Sequence, residues 1–167
     1  MAQAGIAVYC FTAALCGWAY AAGRAREFGK AWLAAAAFFL ALAAIRLLDG
    51  EEILRQTLRE SLETFGNYSD RQILQVPLAT IVIVMTLWLA KAALDIWRER
   101  HGSRHEFLVR IAHLAMLGFL PLYALRLISW HPIDSFLYAE PVHPNWLIDG
   151  GLTAVVALAA IISARRG

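Results

Sequence analysis

Long polar stretches are what this chain has least of. The connections between its apolar runs are short, which excludes a separate soluble domain or an extended linker, so 1–167 reads as one domain. Cysteine is scarce. Cys10 and Cys16 stand six positions apart in one apolar run and turn to different faces of a helix, so no disulfide between them is expected and both read as small packing residues. Excess charge is scarce too: the net charge of +2 is too small to imply a nucleic-acid partner. Alternation of apolar and polar residues is missing from the long runs, which argues against a transmembrane barrel. No Lys or Arg stands between Met1 and Gly5, so the first run lacks the positive start of a secretory signal and is expected to be retained. Neither a zincin helix nor a nucleophile elbow is present. No inverted repeat is visible and Arg46, one turn from Asp49, is the only charge well inside the second or third run, so a transporter ranks last among the functional classes.

Apolar residues fill the space these absences leave, at 60% of the chain. Residues 6–22, 31–48, 74–94, 107–128 and 146–164 each reach or approach the roughly 17 to 25 apolar residues that cross a bilayer core. Backbone groups in lipid must be satisfied within the segment, so the spans should be helices, and their Ala- and Leu-rich composition agrees. The expected fold is an all-α polytopic membrane protein with five transmembrane helices.

Arg24, Arg26, Lys30, Arg98, Arg100, Arg104, Arg165 and Arg166 fall on one side of such a topology. The other side carries Arg55, Arg59 and Arg71, and no Lys or Arg between His131 and Trp146. The positive-inside rule then places the N-terminus outside and the C-terminus in the cytoplasm of a bacterial inner membrane. Trp32, Trp88, Trp97, Trp130 and Trp146 lie near span ends and are expected to anchor at the interface. Pro121 should kink the fourth span, whereas Pro77 costs less near the start of the third.

Between the second and third spans, residues 50–65 are amphipathic: Leu54, Leu58, Leu62 and Phe65 recur at helical spacing among Glu51, Arg55, Arg59 and Glu63. An interfacial helix is expected there, stopped by Gly66 and Asn67. Tyr68, Arg71 and Gln75 then recur where the third span begins. An Arg, a hydroxyl and an amide at a bilayer edge suit a phosphate or carboxylate, and equally suit a brace for the loop.

The connection from the fourth span to the fifth holds Arg126, His131, Asp134, Glu140 and His143, and Asp149 follows in the fifth span. Asp149 is expected to face the bundle if Gly150 and Gly151 mark a close helix contact. Two chemistries suit this set. His131, Asp134 and Asp149, with Asp49, can hold a divalent metal such as zinc and an activated water. Alternatively His131 is a general base oriented by a carboxylate among Asp134, Asp49 and Asp149, while Arg71 and Arg126 hold an anionic lipid headgroup. Helix capping by Asp134 and a helix N-terminal place for Asp149 account for the same residues without chemistry. His101 and His105 read as solvated, and His113 lacks a second histidine at comparable depth for haem.

These residues carry a resemblance. Ala44-Ile45, Leu48-Asp49, Arg59-Glu60, Gly66-Asn67-Tyr68, Arg71, Gln75, Arg126, Ser129, His131, Asp134, Asn145-Trp146, Asp149 and Gly151 are similar to a pattern in a family of small bacterial integral membrane proteins. It covers about the last two-thirds of the chain. The family usually has Trp in place of Asn67, a second His in place of Pro132 and Glu in place of Asp149. Loss of that imidazole weakens a metal site more than a His–Asp pair. The resemblance implies the topology and the outward polar residues, and carries no activity.

The functional expectation is a polar pocket on the outer, periplasmic surface: either a hydrolase or transferase acting on a lipid or headgroup, or an accessory subunit docking a membrane-protein partner. In the first case His131, Asp134, Asp49 and Asp149 act chemically and Tyr68, Arg71, Gln75 and Arg126 bind the substrate.

Overall fold

A computed structural model of the chain describes residues 2–22, 29–50, 53, 56–57, 60, 70–98, 103–128 and 144–165. Five helices make up nearly all of this: α1 (Ala2–Ala22), α2 (Gly29–Leu47), α3 (Asp70–Arg98), α4 (Arg104–Ile128) and α5 (Pro144–Arg165). All five are long and apolar enough to cross a membrane. Each contains most of one expected span and adds a turn or so of polar residues, because helical hydrogen bonding does not stop where the apolar run stops. Ser103 begins α4 by accepting a hydrogen bond from the Glu106 amide at 3.1 Å, a cap followed by an acidic residue in the first turn. The interfacial helix expected over 50–65 falls mostly outside the described residues.

Among the described residues no helix has a polar face, and what separates inside from outside is size. α1 turns Tyr9, Ala13, Cys16 and Ala19 inward, and α2 opposes them with Trp32, Ala35, Ala36, Phe39 and Ala43. Alanine at the seam lets the backbones approach, and this is the most extensive helix pair in the bundle. Phe11, Leu33, Leu40, Leu87 and Leu158 point outward, as suits side chains solvated by lipid. Thr12, Thr86 and Thr153 donate to the carbonyls of Val8, Val82 and Asp149 one turn back at 2.8–2.9 Å, so their hydroxyls are satisfied without a partner helix.

α5 lies between α1 and α4, and α2 closes on α4 more lightly, giving a four-helix body. Rings fill its centre: Phe39 and Phe119 stand 5.8 Å apart edge to face, with Phe38 and Tyr9 within 6.3 Å of Phe119. α3 stands outside this body and packs on α4. Only 11% of its span Ala79–Arg98 is buried, against 39% of Trp146–Arg165 in α5. An apolar cleft of about 550 Å³ opens between α3 and α5 over α4, lined by Leu89, Trp97, Phe107, Leu114, Pro121 and Leu152 among others.

Three expectations need correction. Trp32 is 1% exposed and belongs to the core; its place on the α2 face that meets α1 decides this, whereas Trp88, Trp97 and Trp146 are exposed. Gly150 and Gly151 mark no close contact among the described residues, since a Cβ on either meets nothing there within 4 Å. A tight approach between α4 and α5 is at Gly118, where a Cβ would come 3.0 Å from Leu152. His105 is only partly exposed, and its Nδ1 lies 3.1 Å from Ser163 Oγ, tying the start of α4 to the end of α5.

Candidate functional site

Asp149 lies in the second turn of α5 and is 8% exposed despite its charge. The Tyr9 hydroxyl of α1 lies 2.7 Å from Oδ1 and 2.8 Å from Oδ2, so one phenolic proton serves both carboxylate oxygens. Arg46, in the last turn of α2, donates from Nη2 to Oδ2 at 2.8 Å. Its guanidinium also lies over the Tyr9 ring, 5.1 Å from the centroid. Three helices thus meet in one cluster, with the phenylalanines directly beneath.

Such a pair is stable only when its remaining hydrogen bonds are made, because removing two charges from water costs several kcal/mol per ion. Tyr9 and the cation–π contact supply part of what water would have supplied. Gly5 supplies room: a Cβ there would collide with Arg46 Nη1. With its oxygens engaged by Tyr9 and Arg46 among the described residues, Asp149 acts as an anchor for Arg46, and the cluster presents a guanidinium rather than a free carboxylate base.

Asp49 follows α2 at a left-handed turn with φ of 48°, unusual for a residue with a side chain, and is exposed. Its amide bonds weakly to the Arg46 carbonyl at 3.4 Å, and its carbonyl accepts from the Ile53 amide at 3.1 Å. Arg71 and Gln75 fall in the first turns of α3 and Arg126 in the last turn of α4, although their side chains lie outside the described part. Tyr68, His131 and Asp134 lie outside the described residues altogether.

The expected set therefore contributes Asp149 to the cluster, and its described partners are Tyr9 and Arg46, which were not in that set. A signal for both existed. Arg46 is an ionisable residue inside an apolar span, a place where charge is costly and therefore needs a partner. Proximity in sequence points from Arg46 to Asp49, one turn away, but the chain pairs it with Asp149 across 103 positions. For Tyr9, nothing in the surrounding residues distinguishes it from an interfacial tyrosine.

Among the described residues no three His, Cys, Asp or Glu side chains gather as metal ligands would. His113 lies 2.9 Å by Nδ1 from the Val109 carbonyl of its own helix, an ordinary way of satisfying a histidine in an apolar segment. Glu106 and Arg110 pair at 2.5 Å on the exposed face of α4, where an i,i+4 bridge contributes little. No protein-family model matches the chain, and no curated protein or solved structure shows significant similarity to it.

Proposed function

We propose that the chain is a bacterial inner-membrane protein, N-terminus outside and C-terminus cytoplasmic, whose work is done by a polar site at the outward end of the bundle. The site binds an anionic group presented by the bilayer: a lipid headgroup or a lipid-linked substrate. The Tyr9–Asp149–Arg46 cluster carries the reading. A bundle whose core is otherwise mostly apolar keeps a largely buried cluster of Tyr9, Arg46 and Asp149 from three helices at one end, where intramembrane charge usually marks function. Arg71 and Arg126 sit in helix-end turns that the proposed topology puts on that same side.

As an enzyme, the protein acts as a hydrolase or transferase on that headgroup. His131, aided by Asp134 and Asp49, activates the attacking group, while Tyr68, Arg71, Gln75 and Arg126 hold negative charge. Asp149 serves by fixing Arg46. In a zinc-dependent version His131, Asp134 and Asp149 would hold the ion, which would make a bound water more acidic. Engagement of Asp149 by Tyr9 and Arg46 favours the metal-free version.

The test is incubation of the purified protein with total bacterial lipid, followed by mass spectrometry of the lipids. The expected outcome is enrichment of bound anionic lipid and a changed headgroup species that disappears in His131→Ala. Binding without any chemical change would leave a binding module; no preference for anionic lipid would end the reading.

An accessory subunit of a membrane complex is the second reading. It draws on α3, which among the described residues packs mainly on α4 and borders an apolar cleft. Mild-detergent purification should then bring down a membrane partner in fixed ratio.

A further inference from the structure

We propose that Arg46 is the ligand-contacting cation of this site, that it takes a phosphate group on the donors Asp149 leaves open, and that glycine at position 5 admits the guanidinium to that place. The inference rests on the anion-binding reading above and names its ligand chemistry.

Arginine carries five N–H donors in a rigid plane. Among the described residues Asp149 is the acceptor that Arg46 meets, through Nη2 alone, and 22% of the side chain stays accessible. The Tyr9 ring covers one face of the guanidinium and Gly5 lies against Nη1. The plane is therefore held in a defined orientation with donors to spare, which is what paired contact with an oxyanion requires. Asp149 does not repel that oxyanion as a bare charge would, because Arg46 balances it and the Tyr9 proton lies between its oxygens.

Depth selects phosphate. Gly5, Arg46 and Asp149 each lie within two turns of a helix end, at one end of the bundle. Helices of this length cross a core about 30 Å thick, so their last turns reach the layer that holds lipid phosphates. A phosphodiester headgroup and free phosphate offer the same oxygens to Arg46.

The test compares wild type, Gly5→Ala and the charge-neutral double variant Arg46→Gln, Asp149→Asn. Each is placed in phosphatidylcholine nanodiscs containing a minor fraction of phosphatidylglycerol, and retained lipid is counted by native mass spectrometry. A second arm titrates inorganic phosphate against pure phosphatidylcholine discs. Wild type should retain phosphatidylglycerol preferentially or bind phosphate. Gly5→Ala and the double variant should lose about tenfold or more of that binding, the loss expected for a hydrogen-bonded charge. Circular dichroism and melting of the double variant control for folding, since it strands no charge.

Preference for the lipid without phosphate binding assigns the seat to a headgroup; phosphate binding without lipid preference assigns it to the free ion. Unchanged binding in Gly5→Ala and in a folded double variant overturns the proposal and leaves the cluster a clasp between helices. Wild type with no anion preference in either arm overturns the broader reading as well.

Discussion

Removing the Asp149 carboxylate strands Arg46 in an apolar bundle, whereas neutralising both partners strands nothing. Asp149→Ala should therefore cost about 3–5 kcal/mol, the loss typical of breaking a buried pair from one side. Arg46→Gln with Asp149→Asn should cost clearly less than the sum of the single changes. Unfolding in mixed micelles, followed by helical signal, measures the difference, and additive losses would show that the pair is not coupled. Tyr9→Phe keeps the ring under Arg46 and removes a hydroxyl from two carboxylate oxygens. Its expected loss is about 1–3 kcal/mol, the cost of leaving a buried acceptor short of one donor.

Helix faces are decided by what stands opposite them, and glycine shows this most directly. Gly118 lies where α4 meets Leu152 of α5, so Gly118→Val should overpack the contact and cost about 1–3 kcal/mol. Gly150→Ala and Gly151→Ala add a methyl to open space in a helix interior and should each be neutral or gain up to about 1 kcal/mol. Thermal melts of the purified variants separate the two cases. The sequence draws attention to Gly150 and Gly151 as a place for a close helix contact, because small residues let backbones approach, and gives no such sign at Gly118. Trp32 carries the same lesson. Its position near a span end fits an interfacial anchor, yet α1 covers it, so Trp32→Ala should cost about 3–5 kcal/mol while Trp88→Ala costs little.

At the scale of the whole molecule, the alternation of basic and non-basic connections predicts which side each loop faces. Single cysteines at Ser69 and Ser103, in a background lacking Cys10 and Cys16, should label with a membrane-impermeant maleimide from opposite sides; labelling from one side would overturn the proposed topology. The number and approximate limits of the helices were legible in the residues, because transfer of a long apolar segment into lipid depends on its summed composition and hardly on its neighbours. Less of the site was legible. Asp149 was named, but its partners were sought among the carboxylates and histidines Asp49, His131 and Asp134, and Tyr9, 140 positions away, was not among them. Local spacing says which face of a helix a residue occupies and nothing about which helix that face meets. Composition and hydrophobic length thus determined that the described residues include five helices long and apolar enough to cross a membrane. Tertiary packing alone decided that α5 seats beside α1, that Arg46 turns from Asp49 to Asp149, and that a mostly apolar core ends in a largely buried charge. The physical reason is that apolar segments partition one by one, while a charge within them is tolerable only where a second helix supplies its opposite.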